Sequence, residues 1–193
     1  MRKFVLAVGL VLMASSAQAA TLNVVGGQLF GASGVLVDGS LYNVEFLDRS
    51  CITLYNGCDE VSDFTFQTSG AAELAANALL DQVFLDGVLG DFDSDPDLTA
   101  GCEFEFICGA FTPWAGNGVV NDSQLVSNNF EELGDGVSNV AVFVGLHTSN
   151  EANRVYAVWS VDAVPVPPWV SIALLLLVGA TGFALLSRAN VRS

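Results

Sequence analysis

A long uncharged segment near the end of the chain constrains what the rest of the chain can fold into. Residues 170–186 carry no charge, and as an α-helix they would extend roughly 25 Å, close to the thickness of a bilayer core. Trp169 precedes the segment, and Arg188 and Arg192 follow it. This order is typical of membrane helices whose basic end faces the cytoplasm. We predict a transmembrane helix over residues 170–187 and a basic tail over residues 188–193, the alternative being a buried helix of a soluble domain.

The start of the chain has the three parts of a secretory signal. Arg2 and Lys3 supply the positive charge, residues 4–14 are apolar but too short to favour a spanning helix, and Ala17-Gln18-Ala19 is a cleavage site of the Ala-x-Ala type. We therefore predict a signal peptide over residues 1–20, removed by signal peptidase. The alternative is an uncleaved anchor.

The stretch between these ends, residues 21–163, is strongly acidic. All 21 acidic residues of the chain lie in it, against only Arg49 and Arg154 among the basic ones, so its net charge is −19 while that of the whole chain is −15. Such a surface repels nucleic acid and anionic lipid, so we expect no nucleic-acid partner. Its length suits one domain, and the basic ends place it outside the cytoplasm by the positive-inside rule.

Four cysteines, Cys51, Cys58, Cys102 and Cys108, lie in this acidic stretch. Thiols of exported proteins are oxidised, and four cysteines can pair in three ways. We favour Cys51–Cys58 and Cys102–Cys108, because Asn56-Gly57 is a turn signal that folds the first segment back on itself. A zinc site is the alternative, but the spacing lacks a Cys-x2-Cys pair and the single histidine, His147, is far away in sequence.

The tail resembles the sorting signals of PEP-CTERM proteins, in which a Val-Pro-Glu-Pro-like motif precedes a membrane helix and a basic end. Here residues 164–169 form the proline-rich motif, and valine stands at its usual acidic position, as in the VPLPA and IPTL types. The resemblance implies export, membrane insertion and processing by an exosortase-like enzyme. It concerns sorting only and implies no activity for the acidic domain. The residues that carry it are Val164, Pro165, Val166, Pro167 and Arg188.

Alternation of apolar and polar residues predicts a domain made mostly of strands. Residues 40–47 alternate, and Asp38-Gly39 before them predicts a two-residue hairpin. In residues 103–106 the alternation puts Glu103 and Glu105 on the solvent-facing side. We predict further strands at residues 63–67, 140–146 and 155–161, the last two as an antiparallel pair with 140–146 central.

One amphipathic helix is predicted over residues 71–85, with an alanine-rich face opposite an acidic stripe. The predicted fold class is therefore α+β: a single, strand-dominated domain with one amphipathic helix packed on an antiparallel sheet.

The densest cluster of functional groups consists of four alternating carboxylates, Asp91, Asp93, Asp95 and Asp97. Ca²⁺ takes six to eight oxygen ligands, and alternation in a loop lets several carboxylates turn toward one ion. The segment begins like an EF-hand loop, but Pro96 stands at the position of the turn glycine and Cys102 at that of the last glutamate. We predict a looser calcium loop, the alternative being a solvated acidic turn.

Residues that would support catalysis are sparse. His147 has no partner in sequence, Gly31-Ala32-Ser33-Gly34 only approaches a nucleophile elbow, and no phosphate-binding loop occurs. We expect no enzyme, and predict an exported protein of the cell envelope or extracellular matrix with a structural or adhesive role. A module that binds polysaccharide or a small ligand through Trp114, in an expected loop, is one alternative. A secreted hydrolase is another.

Overall fold

The computed structural model describes residues 19–130 and 134–162. Residues 1–18 of the predicted signal peptide lie outside the described residues, as do the predicted sorting motif, transmembrane helix and basic tail. Within the described part, no helix is long and apolar enough to cross a membrane.

The described residues form a fold dominated by strands. There are two helices, α1 (Cys51–Leu54) and α2 (Ser69–Gln82), of which α1 is a single turn. The strands are β1 (Thr21–Val25), β2 (Gln28–Val37), β3 (Ser40–Leu47), β4 (Asp86–Gly87), β5 (Gly90–Asp91), β6 (Ile107–Gly116), β7 (Val120–Asn129), β8 (Gly136–Phe143) and β9 (Arg154–Val161).

Seven of these strands form one sheet in the order β1-β2-β3-β9-β6-β7-β8, and β4 pairs with β5 in a separate small hairpin. The large sheet contains two meanders, β1–β3 and β6–β8, which are joined by β9. Strand β9 runs antiparallel to β3 and parallel to β6. The predicted strand-dominated α+β fold is confirmed, but the sheet is mixed and not purely antiparallel.

The predicted pairing of the last two strands is wrong. Strand β8 lies at the edge of the sheet beside β7, whereas β9 is central. Their burial explains the difference: β9 buries Val155, Tyr156 and Ala157 in succession, so both of its faces are covered, while most of β8 is exposed or half-buried. Burial on both faces is typical of an interior strand, and β9 pairs along both of its edges, with β3 and β6.

The predicted hairpin at Asp38-Gly39 is confirmed. These two residues connect β2 to β3 and have φ angles of 46° and 79°. Positive φ at both central positions defines the turn whose twist matches that of paired strands, and glycine and aspartate adopt it at low cost.

Helix α2 lies against one face of the sheet, as predicted. The side chain of Thr68 caps its start by accepting a hydrogen bond from the Ala71 N–H at 3.2 Å. The helix ends before Val83, earlier than expected, because Val83 and Phe84 turn into the core, where the Phe84 ring stacks on Phe46 at 5.3 Å. The small residues of its inner face let the helix approach the strands closely: Ala72, Ala75, Ala76 and Ala78.

A non-regular segment contributes one aromatic ring to each of the two cores, Phe66 to the core beneath α2 and Phe64 to the core on the opposite face of the sheet. Residues 63–67 were predicted to be a strand, but they form a turn and a loop in which Phe64 and Phe66 are nevertheless buried. Phe64 packs on Tyr55 at 5.1 Å, and Phe66 packs on Tyr42 at 5.0 Å. The alternation thus predicted burial correctly, but the two rings anchor a loop and not a strand.

Candidate functional site

Two disulfides hold loops of the domain in place. Cys51 is bonded to Cys58 and Cys102 to Cys108, with Cα atoms 5.8 and 5.7 Å apart. These are the pairings that the sequence favours. Disulfides of this kind are typical of proteins that fold in an oxidising compartment, either the periplasm or the extracellular space.

The Cys102–Cys108 loop projects aromatic and acidic side chains into solvent. Both cysteines are buried, whereas Glu103, Phe104, Glu105 and Phe106 are all exposed. The predicted strand over residues 103–106 is wrong: the disulfide joins two points only six residues apart, and the segment between them contains a turn.

Two backbone hydrogen bonds fix the ends of this loop. The Glu103 N–H donates to the Ala152 carbonyl at 2.7 Å, and the Phe106 carbonyl accepts from the Phe130 N–H at 3.1 Å. The second bond brings Phe130, the residue after β7, beside the loop. Both ends of the loop are therefore held in fixed positions relative to the rest of the domain.

Three phenylalanines form what we call the aromatic patch. Phe104, Phe106 and Phe130 are 43%, 52% and 51% exposed. The ring centroids of Phe104 and Phe106 are 5.5 Å apart, and those of Phe106 and Phe130 are 6.3 Å apart. Contiguous exposed apolar surface is uncommon on soluble domains and often marks a binding site.

A cleft of about 340 Å³, which we call the acidic cleft, adjoins this patch. The rings of Phe106 and Phe130 form its apolar side, and the carboxylates come from two separate segments of the chain. No basic side chain of the described residues lines it. Its other lining residues are Asp95, Asp97, Leu98 and Glu105.

The turn that carries Asp95 and Asp97 is organised by Asp86. The Asp86 carboxylate accepts hydrogen bonds from the N–H groups of Asp93 and Ser94 at 2.9 and 3.0 Å, and from the Ser94 hydroxyl at 2.6 Å. The hydroxyl bond from Ser94 is the main cause that lowers the pKa of Asp86; desolvation opposes it, and the two backbone bonds lower the pKa further. This role of Asp86 is not predicted above, although an aspartate just before a glycine turn is a sequence signal for it.

Contacts with the sheet also hold this turn in place. Phe92 is fully buried, and its carbonyl accepts a hydrogen bond from the Asn128 side-chain nitrogen at 2.7 Å. Pro96 is buried at the start of a short 3₁₀ turn, Pro96–Leu98. These contacts fix the position of the acidic cleft relative to β7.

The four predicted calcium ligands do not converge. Asp91 and Asp95 are exposed, Asp93 and Asp97 are half-buried, and only Asp95 and Asp97 line the same cleft. Among residues 19–130 and 134–162, no group of three or more acidic, histidine or cysteine side chains is placed to hold a metal ion. The calcium loop stays a prediction.

The other candidate residues lie apart from this region. Trp114 is in β6, not in a loop; it is half-buried, and its indole N–H donates to the Asn139 side-chain oxygen at 3.3 Å. His147 is exposed and contacts the Ser149 hydroxyl through Nδ1. In the described part of the chain no carboxylate contacts the other ring nitrogen of His147.

A second cleft, of about 370 Å³, lies on the face of the sheet opposite α2. Val142 and Leu146 contribute apolar surface to it, and the Arg154 guanidinium lies 5.6 Å from the centroid of the Phe111 ring. This guanidinium already rests on an aromatic face, and the lining residues include one carboxylate, Glu151, but no serine, threonine or cysteine.

No family model matches the sequence, and neither the curated proteins nor the solved structures include a match. The aromatic patch and the acidic cleft therefore define the candidate site by their geometry alone.

Proposed function

We propose that this protein is an exported structural or adhesive component of the cell envelope or extracellular matrix, which holds its partner through the aromatic patch. The observation that carries the proposal is the Cys102–Cys108 loop, which presents two exposed phenylalanines beside a third. A disulfide-closed loop loses little conformational entropy on binding, so its exposed rings are suited to recognition.

The two disulfides and the sequence of the chain ends support delivery outside the cytoplasm. A signal peptide over residues 1–20 starts export, and the tail over residues 164–193 either anchors the protein or is removed by an exosortase-like enzyme. The net charge of −19 over residues 21–163 keeps copies of the domain apart in solution. Attachment therefore needs a specific surface, and the aromatic patch supplies one.

Polysaccharide binding is the second candidate function. The flat faces of exposed phenylalanine rings can pack on a sugar ring, and the aromatic patch offers more accessible rings than half-buried Trp114 does. Titration of the protein with neutral glycans tests this function. Binding that survives loss of all three phenylalanines would refute the patch as its site.

The intact mass of the native protein tests export and processing. We would measure it for protein from membranes and from culture fluid, before and after reduction. Soluble protein that ends within residues 164–168, and that gains four hydrogens for its two disulfides on reduction, supports the proposal. Membrane-bound protein that still ends at Ser193 refutes processing and leaves an anchored protein.

Retention of the protein on intact cells and matrix tests the adhesive role. A variant with serine at Phe104, Phe106 and Phe130 should be exported in normal amounts but washed off the matrix. Phe143→Ser is the matched control, because Phe143 is 70% exposed on the edge strand β8 and lies outside the patch. Equal retention of both variants would refute adhesion through the patch.

A further inference from the structure

We infer that the aromatic patch and the acidic cleft together bind an arginine- or lysine-rich segment of another polypeptide. The inference rests on the proposed adhesive function and gives it a class of partner. Two kinds of side chain meet at this surface, exposed aromatic rings and carboxylates that no basic side chain of the described residues neutralises.

The rings favour a cationic partner. The face of a phenylalanine ring carries partial negative charge, and it attracts guanidinium and ammonium groups held within about 6 Å of its centroid. Phe106 and Phe130 are each about half exposed and flank the same cleft, so a side chain that enters the cleft meets both rings. Arginine suits such a site best, because its planar head stacks on rings and pairs with carboxylates.

The carboxylates disfavour apolar and anionic partners. Asp95, Asp97 and Glu105 line the acidic cleft, and no basic side chain among the described residues neutralises them there. A purely apolar partner, such as a lipid surface, would bury these charges without compensation, which is unfavourable. An anionic polymer would be repelled. A cationic segment lets its apolar stems cover the rings while its charges pair with the carboxylates.

The test measures binding of a synthetic peptide to the full-length protein in mild detergent. The probe is an unstructured decapeptide of alternating arginine and glycine, and the same peptide with glutamine for arginine is the neutral control. We expect the arginine peptide to bind, the glutamine peptide not to bind, and the affinity to fall as salt is raised. Equal binding of the two peptides would overturn the inference.

One pair of variants isolates the aromatic contribution. Changing Phe106→Leu together with Phe130→Leu keeps apolar surface but removes the ring faces, and we expect it to weaken binding about tenfold. Phe143→Leu, outside the patch, should leave binding unchanged. Since all three side chains are more than half exposed, none of these changes removes a core contact. Unchanged affinity of the double variant would refute the stacking on the patch.

A second pair of variants tests whether the peptide pairs with the carboxylates of the cleft or is attracted only by the net negative charge of the protein. Asp97→Asn with Glu105→Gln removes two charges from the cleft, and Glu73→Gln with Asp81→Asn removes two from the exposed stripe of α2. Only the first pair should weaken binding about tenfold. An equal loss with both pairs would show that the peptide follows net charge alone, which would overturn the inference.

The retention assay distinguishes failure of this inference from failure of the proposed function. If the serine variant of the patch is lost from the matrix while the arginine peptide fails to bind, the adhesive role stands and the cationic partner is wrong. If retention is unaffected by the patch, the proposed function itself fails.

Discussion

The two disulfides provide a matched comparison of stability and binding. Cys51–Cys58 and Cys102–Cys108 close loops of almost equal size, with sequence separations of 7 and 6 residues. All four cysteines are buried, so replacing either pair by alanine removes similar atoms from similar surroundings. Only the second pair closes the loop that carries Phe104 and Phe106.

The expected loss of stability is nearly the same for both pairs. In the chain-entropy model a loop of this size stabilises the folded state by about 2 kcal/mol, because it restricts the unfolded chain. The difference of one residue between the loops changes this value by only about 0.1 kcal/mol. We expect each alanine variant to lower the melting temperature by roughly 5–10 °C, as measured by circular dichroism.

The expected effect on binding differs between the two variants. Without Cys102–Cys108, residues 103–106 must be ordered again when the arginine peptide binds, and ordering even one residue costs roughly 1–2 kcal/mol. We therefore expect this variant to bind the peptide about tenfold more weakly, at a temperature where it is fully folded. Loss of Cys51–Cys58 should leave the affinity unchanged.

Two results would refute this reasoning. Unchanged affinity after loss of Cys102–Cys108 would show that the loop is held by its backbone contacts alone. Equal weakening in both disulfide variants would show that binding follows global stability and not the closure of this loop.

Three further predictions concern the core, the acidic turn and calcium. Leu79→Ala should lower the free energy of unfolding by about 3 kcal/mol in urea, because Leu79 is fully buried on the inner face of α2; a loss under about 1 kcal/mol would contradict that packing. Since the folded-state pKa of Asp86 is lowered, its stabilisation is complete above the unfolded pKa near 4 and is lost as the pH falls through the folded value. The stability difference between wild type and Asp86→Ala should therefore shrink below about pH 4 in unfolding measured across pH, and a constant difference would contradict it. Calorimetry should show Ca²⁺ binding that Asp93→Ala with Asp95→Ala abolishes, and heat at buffer level in the wild type would refute the calcium loop.

The features that the sequence predicts well are those decided by near neighbours. The Asp38-Gly39 turn needs only two residues that tolerate positive φ, and α2 needs only a cap at Thr68 and an alanine-rich stripe. Disulfide pairing across a short loop is likewise local, since the chain between Cys102 and Cys108 cannot carry its ends far apart.

The features that the sequence predicts poorly depend on contacts between residues that are far apart along the chain. The same apolar-polar alternation buries Phe64 and Phe66 but leaves Phe104 and Phe106 exposed. Alternation indicates only that successive side chains point in opposite directions. Whether a given side is buried or exposed depends on which other segments of the chain pack against it. The aromatic patch itself requires Phe130, which only the pairing of β6 with β7 brings beside the loop.

The placement of β9 affects the order in which the sheet can form. The meanders β1–β3 and β6–β8 each form from strands that are adjacent in sequence, but β9, the last strand of the described residues, joins them. In the export proposed above, β3 and β6 each present an unpaired edge until β9 has left the translocation channel, and such an edge is prone to pair with other chains. All four cysteines precede β9, so both disulfides can close while the sheet is still in two halves. The arrival of β9 thus completes the described sheet, and in the proposed export a pause in translocation just before β9 would leave the chain most open to aggregation and proteolysis.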